Sequence, residues 1–326
     1  MNELIQHFAQ QLEEALRIAK AWSFPLKGKN YNAVLVSGLG GSGIGASILQ
    51  DFVYDKINIP FVVNKTYHLP KFVNKETLFI ACSYSGNTEE TLAAYEEARK
   101  RKATVVCVAS GGELIERARK HKHFYIQIPS GNPPRASLGY SLVQLIFILS
   151  KAGLIPTQEK EILSSIALLK KQTNSIQAAA KKLTEKLQGK FLAVYTTVGH
   201  EGLAVRFRQQ LNENAKILAW HNVIPEMTHN EIVGWKHNND SVFVLHVYHP
   251  EDYSRNLDRL KFLKKVLNGY KANTADLVMK GMNYWEKVFY FIHFTDWVSV
   301  YLADLNQQDA SEVRVIDGLK KTMSKK

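Results

Sequence analysis

Short apolar runs separated by helical periodicity, once before residue 130 and again after residue 190, leave few folds open to this chain. Residues 33–37, 61–63, 78–83, 104–109 and 124–128 read as strands, and 44–52 and 88–102 as helices. Strands alternating with helices of about ten to fifteen residues indicate βαβ units and a parallel sheet. Residues 158–187 are largely polar and helical in pattern, so they form a connector. The pattern then restarts, with strands at 191–197, 217–220 and 241–248 and helices at 202–212, 252–267 and 284–305. The expectation is an α/β protein of two doubly wound parallel-sheet domains, residues 1–155 and 156–326, the second beginning with the connector. A chain of 326 residues suits two domains of about 150 each.

Composition narrows the setting. Residues 1–22 carry Glu3, Glu13 and Glu14 among apolar positions and read as an amphipathic helix, not a signal peptide. The longest apolar stretches are 138–149, too short to span a bilayer, and 288–302, which contains His293 and Asp296. Both read as buried helices, and no membrane partner is expected. The two cysteines, Cys82 and Cys107, lie inside strand-like runs and read as small buried hydrophobes. With no disulfide framework, the expected compartment is the cytoplasm. The net charge is +12, but lysines and arginines are spread along the chain, dense only at 320–326, with few aromatics among them. That is a solvated surface able to draw phosphorylated substrates, not a nucleic-acid interface.

Directly after the first strand comes Gly38-Leu39-Gly40-Gly41-Ser42-Gly43, a match to the G-x-G-x-x-G dinucleotide fingerprint. That fingerprint also calls for an acid about twenty residues on, to hold the ribose hydroxyls. Here the second strand ends in Asn64-Lys65. An NAD(P) oxidoreductase is weakened, although a basic residue such as Lys65 is suited to a 2′-phosphate.

The next turn favours another ligand. After 78–82 comes Ser83-Tyr84-Ser85-Gly86-Asn87-Thr88-Glu89-Glu90-Thr91, with three hydroxyls at a strand's carboxyl end and a helix mouth. Hydroxyls, backbone N–H groups and a helix N-terminus are what a phosphate dianion needs. Ser42 on the glycine turn adds a fourth hydroxyl, and Gly40 and Gly41 bring backbone close to the same ligand. A plain helix cap at Ser85 or Thr88 would use one hydroxyl only.

The pair GLGGSGIG and SYSGNTEET resembles the sugar isomerase (SIS) domain, which grips phosphosugars through such a loop. Three further stretches narrow the likeness: 130–140 (SGNPPRASLGY), 211–216 (LNENAK) and 229–235 (HNEIVGW). In this order, from about Gly38 to Lys320, they resemble the bifunctional phosphoglucose/phosphomannose isomerases. The resemblance implies two flavodoxin-like SIS domains, a homodimer with a shared active site, a phosphorylated hexose as substrate, and neither metal nor redox cofactor. The competing functions are a non-catalytic phosphosugar sensor and the oxidoreductase. A sensor needs neither of the residues to which the resemblance gives catalytic roles, Glu213 and His229.

Aldose–ketose isomerisation moves a proton between adjacent carbons and needs a base, positive charge near the developing oxyanion, and a group to open the ring. In the resembling family the glutamate of the Glu-Asn-x-Lys motif moves the proton, which points to Glu213; the alternative is a solvated helix-end glutamate. Arg135 follows two prolines that stiffen its approach, and a guanidinium suits an oxyanion. His229 can donate and accept near neutral pH, and the resemblance gives it ring opening from the neighbouring subunit. Lys320 resembles the family's last substrate contact, although Ala310 and Glu312 stand where that motif carries prolines. A solvated tail lysine is the alternative. No His-x-x-x-His or Cys-x-x-Cys spacing suggests zinc.

Overall fold

The computed structural model describes residues 1–237 and 240–323. Residues 324–326 of the basic tail lie outside the described residues. The opening segment forms α1 (Asn2–Gln6) and α2 (Phe8–Ala21), so the expected amphipathic helix is divided at His7. α2 buries Phe8, Leu12, Ala15, Leu16 and Ala19, a single stripe at helical spacing.

The first sheet alternates as read: β1 (Ala33–Ser37), α3 (Gly40–Val53), β2 (Phe61–Asn64), β3 (Thr77–Cys82), α4 (Glu89–Lys100), β4 (Thr104–Ala109), α5 (Gly112–Lys120) and β5 (Phe124–Gln127). Its order is β2-β1-β3-β4-β5, and every pairing is parallel. β1 and β3 are buried at every position, which is why they read as unbroken apolar runs. Cys82 and Cys107 are buried free thiols, and burial pushes the Cys82 thiol up to about 12.

Two long helices join the halves. α6 (Leu138–Lys151) is buried over most of its circumference, and α7 (Glu159–Leu187) is the polar connector. The second half holds β6 (Phe191–Thr197), α8 (Glu201–Gln210), β7 (Ala219–Ile224), β8 (Val242–Tyr248), α9 (Ser254–Gly269), β9 (Asn273–Val278), α10 (Tyr284–Leu305) and α11 (Arg314–Met323). Its sheet is parallel, in the order β7-β6-β8-β9. Helices from both halves share one core that runs from Ile5 to Ala310.

Three elements differ from the reading. The strand expected at 217–220 is β7, shifted toward residue 224. β9 was not anticipated, because this edge strand buries only Leu277 and its sequence, NTADLV, lacks an apolar alternation. The helix expected at 202–212 ends at Gln210 and continues as a π turn over Leu211–Ala215.

α10 is the apolar stretch that contains His293 and Asp296, and both are buried. Burial lowers His293 to about 4, and Trp297 Nε1 donates to its Nε2 at 3.4 Å. Among the described residues no helix is long and apolar enough to cross a membrane.

Candidate active site

In an open parallel sheet the crevice lies outside the strands' carboxyl ends, where the strand order reverses. In the first sheet that point falls between β1 and β3. The loops that follow these strands are the glycine turn and the hydroxyl turn, so topology alone brings Ser42 beside Ser83–Thr88. Ser42 Oγ accepts from Tyr84 N at 2.8 Å and ties the two loops together. Ser83 and Thr88 hydroxyls share a hydrogen bond of 2.9 Å. Ser85 is exposed, and its Oγ accepts from Asn87 N at 3.2 Å. Thr88 is the N-cap residue of α4, yet its side chain makes no capping bond. The plain-cap alternative therefore does not account for its hydroxyl.

Two glycines set the shape of this crevice. Gly86 has φ +74°, and a Cβ there would lie 1.9 Å from Gly111 O, so the turn admits no side chain. A Cβ on Gly41 would lie 2.8 Å from the carbonyl of Pro134 and 3.0 Å from Arg135 N. The glycine turn is thereby pressed against the segment that carries Arg135. Asn64, at the position where a nucleotide fold would place an acid, is buried and donates to Thr66 O at 2.9 Å.

Arg135 sits in a 3-10 turn, Pro134–Ala136, and is buried. Its Nε donates to Asn214 Oδ1 at 2.8 Å, and Nη2 donates to the carbonyls of Ala310 (2.7 Å) and Ser311 (3.1 Å). Nη1 faces Glu213 Oε2 at 3.4 Å. Burial pulls the Arg135 pKa down, and the Glu213 charge opposes that pull. Glu213 stands on the π turn, its side chain 28% exposed, while the neighbouring Asn214 is buried and donates to Ser299 Oγ at 2.9 Å. The extra residue of a π turn offers a physical route to this split, one side chain partly exposed and the next held in the core.

Beneath Arg135 lies a layer of groups the sequence reading did not single out. Arg206 Nη2 donates to the Arg135 carbonyl at 2.8 Å and to Asp296 Oδ2 at 3.0 Å, and Gln210 Nε2 donates to Asp296 Oδ1 at 2.8 Å. A buried charge persists when paired and hydrogen-bonded. The signal available was Asp296 inside the long apolar run of α10, whereas Arg206 is one of three charged residues on α8 and stood out in no local pattern.

His229 and Lys320 are not brought to this cluster. His229 is exposed at the end of a 3-10 turn, Glu226–His229, and no hydrogen bond or ion pair links it to Glu213 or Arg135. Lys320 is exposed on α11, 3.7 Å from Asp317. Glu231, beside His229, accepts from Tyr195, from Trp220 Nε1 at 2.8 Å and from Asn222 Nδ2 at 2.6 Å. Both its oxygens are thus committed to anchoring the His229 turn on β6 and β7. Among the described residues no three His, Cys, Asp or Glu side chains are grouped to hold a metal ion.

The second sheet has its own crevice, between β6 and β8. Asp252 lies in it, accepting from Thr197 Oγ1 (2.6 Å), His200 Nε2 (3.0 Å) and His249 N (2.8 Å). Burial alone would raise the Asp252 pKa, but the hydrogen bonds, led by that from His200, hold it below the usual carboxylate range.

Two parallel sheets with a hydroxyl-lined crevice beside an arginine–glutamate pair define a double SIS-domain protein. A family model described as the bacterial phospho-glucose isomerase C-terminal SIS domain matches residues 176–323. The chain is 38% identical over 335 residues to a bifunctional phosphoglucose/phosphomannose isomerase of Caldicellulosiruptor bescii, covering 99% of each. It is 33% identical to one of Aquifex aeolicus, covering 90% of this chain and 91% of that one. Among solved structures, the C-terminal domain of glucosamine-fructose-6-phosphate aminotransferase from Francisella tularensis has a TM-score of 0.73 at 12% identity, covering 95% of this chain and 98% of that one. The chain belongs to the bifunctional phosphoglucose/phosphomannose isomerase family.

Proposed function

We propose that this protein interconverts glucose 6-phosphate, and also mannose 6-phosphate, with fructose 6-phosphate, working as a cytoplasmic homodimer. The Arg135–Glu213 pair beside the hydroxyl-lined crevice carries the reading. Ser42, Ser83, Ser85 and Thr88, with the N-termini of α3 and α4, take the substrate phosphate, and the backbone at Gly40 and Gly41 lies alongside. Glu213 removes the C2 proton of the open-chain aldose and returns it to C1. The C1 oxygen gains a proton as the C2 hydroxyl loses one, and the enediolate between them bears negative charge. Arg135 Nη1 supplies positive charge to that oxygen. His229 opens the ring, and Lys320 contacts the sugar. Residues 1–155 form the phosphate-binding half and residues 156–326 the half that carries the proton-transfer groups.

The homodimer is supported by what one chain leaves open. His229 and Lys320 are exposed and share no hydrogen bond or ion pair with Glu213 among the described residues, and α11 presents an exposed apolar face, Val315, Ile316, Leu319 and Met323. A second chain completes the site by supplying His229. Its cytoplasmic setting is supported by the two free thiols. The deciding experiment is a coupled assay of the purified protein on glucose 6-phosphate and mannose 6-phosphate, with phosphate binding measured separately. Binding without turnover would make the protein a sensor instead.

A further inference from the structure

Lys216 follows the π turn that carries Glu213 and has a left-handed backbone, φ 56° and ψ 34°. Glycine or asparagine is the usual occupant of such a helix end, because a Cβ is strained there. The Lys216 side chain is fully engaged. Its ammonium donates to the carbonyls of Glu213 (2.6 Å), Asp309 (2.8 Å) and Glu312 (2.8 Å), one acceptor for each of its three N–H bonds. Arg135 holds the two carbonyls between, Ala310 and Ser311. Four successive carbonyls, 309 to 312, are therefore gripped by two cations that flank Glu213. Two residues further on, α11 begins and leads to Lys320.

We propose that Lys216 is a positioning residue for the isomerisation. Its ammonium ties the backbone of the base to the 309–312 strap, and so fixes both the direction of the Glu213 carboxylate and the start of α11. The inference rests on the reading of Glu213 as the base. Lys102, Lys122 and Lys271 end helices in the same left-handed backbone, so what sets Lys216 apart is the set of three carbonyls its ammonium holds.

That contrast supplies the test, made on the full chain with Lys216→Gly and Lys216→Arg, and with Glu213→Gln as reference. Lys216→Gly relieves the backbone strain and removes the cross-link. Misplacement of a reacting group by about 1 Å costs about a hundredfold in rate. Turnover of Lys216→Gly should fall about ten- to a hundredfold with KM within about threefold of wild type. Hydrogen exchange of residues 309–316 should accelerate in the same protein. Lys216→Arg, which keeps a cation and its donors, should recover part of the turnover and slow the exchange. Wild-type turnover in Lys216→Gly with faster exchange would overturn the proposal, leaving the lysine a purely structural tie. So would lost turnover with unchanged exchange. If Lys216→Gly does not fold, Lys216→Arg decides: turnover no better than Glu213→Gln, with exchange at the wild-type rate, overturns it. Should wild type itself not isomerise, the functional reading has failed, and the exchange comparison still decides whether Lys216 holds the strap.

Discussion

Arg135 Nη1 lies 3.4 Å from Glu213 Oε2, although 78 positions separate them in the chain. One partner enters from the segment before α6 and the other from the end of α8. The pair is therefore assembled only when both halves are docked. Its two members differ in surroundings, since Arg135 is buried and Glu213 is partly exposed. A buried, multiply bonded guanidinium is a fixed charge, whereas the carboxylate beside it is open to solvent on one side.

Glu213→Gln preserves shape and hydrogen bonding but removes the base. Turnover should fall about a hundred- to ten-thousandfold while substrate affinity stays near wild type. Exchange of the C2 proton with solvent deuterium, followed by NMR, should fall in step. Turnover within a few-fold of wild type would remove Glu213 from the role. Glu231, with both oxygens committed, is then a weaker substitute than Glu226.

Arg135→Lys keeps the charge but cannot reach Asn214, Glu213 and two carbonyls together. Loss of these bonds inside the core should cost about 1–3 kcal/mol of stability. Turnover should fall about a hundredfold, as for removal of an oxyanion donor. Denaturant unfolding and steady-state kinetics on one preparation check both. A variant as active as wild type would show that the guanidinium geometry is dispensable.

Mixtures of Glu213→Gln and His229→Ala chains test the shared site. Each variant should be inactive alone, and mixed dimers should regain activity, since one of the two sites then holds both native groups. Absence of recovery after subunit exchange has been demonstrated by mass spectrometry would place His229 within its own chain's site, or outside any site.

Asp51, near the end of α3, accepts from Gly202 N at 2.7 Å, and burial pushes its carboxyl up to about 6 despite that bond. With a folded value above the unfolded one, this group's contribution to stability is complete below about pH 4 and is lost as pH rises through about 6. Asp51→Asn keeps an acceptor without the charge. Its stability relative to wild type should therefore improve between pH 4 and pH 7, by about 2 kcal/mol at most. Parallel denaturation curves at pH 4, 5, 6 and 7 measure this difference. A difference that stays constant with pH would show that Asp51 does not titrate in this range.

Much of this architecture was legible before the fold was known. The apolar runs at 33–37, 78–82 and 104–109 could only be buried parallel strands, and the two turns that follow the first pair mark the crevice. What stayed hidden was hidden for physical reasons. β9 is an edge strand with one buried residue, so it carries no periodic signal. β7 contains Trp220 and Asn222, whose polar groups serve Glu231, and this blurs its apolar pattern. The Arg206–Asp296 layer joins residues 90 positions apart, a separation no local pattern reports. The strap shows the opposite case. Ala310 and Glu312 depart from the expected prolines, yet their carbonyls are held by Arg135 and Lys216, because such bonds use backbone and are indifferent to the side chain.

Asp252 has a consequence for stoichiometry. The chain contains two crevices of one topological design, but in the second a resident carboxylate already takes the donors that would otherwise meet an incoming anion. Thr197, His200 Nε2 and His249 N are already committed to Asp252 there, and a like charge repels a phosphate. A calorimetric titration with phosphosugar should accordingly saturate at one molecule per chain, not two. On the proposed function, duplicated architecture leaves a single port of entry, and the second unit contributes Glu213.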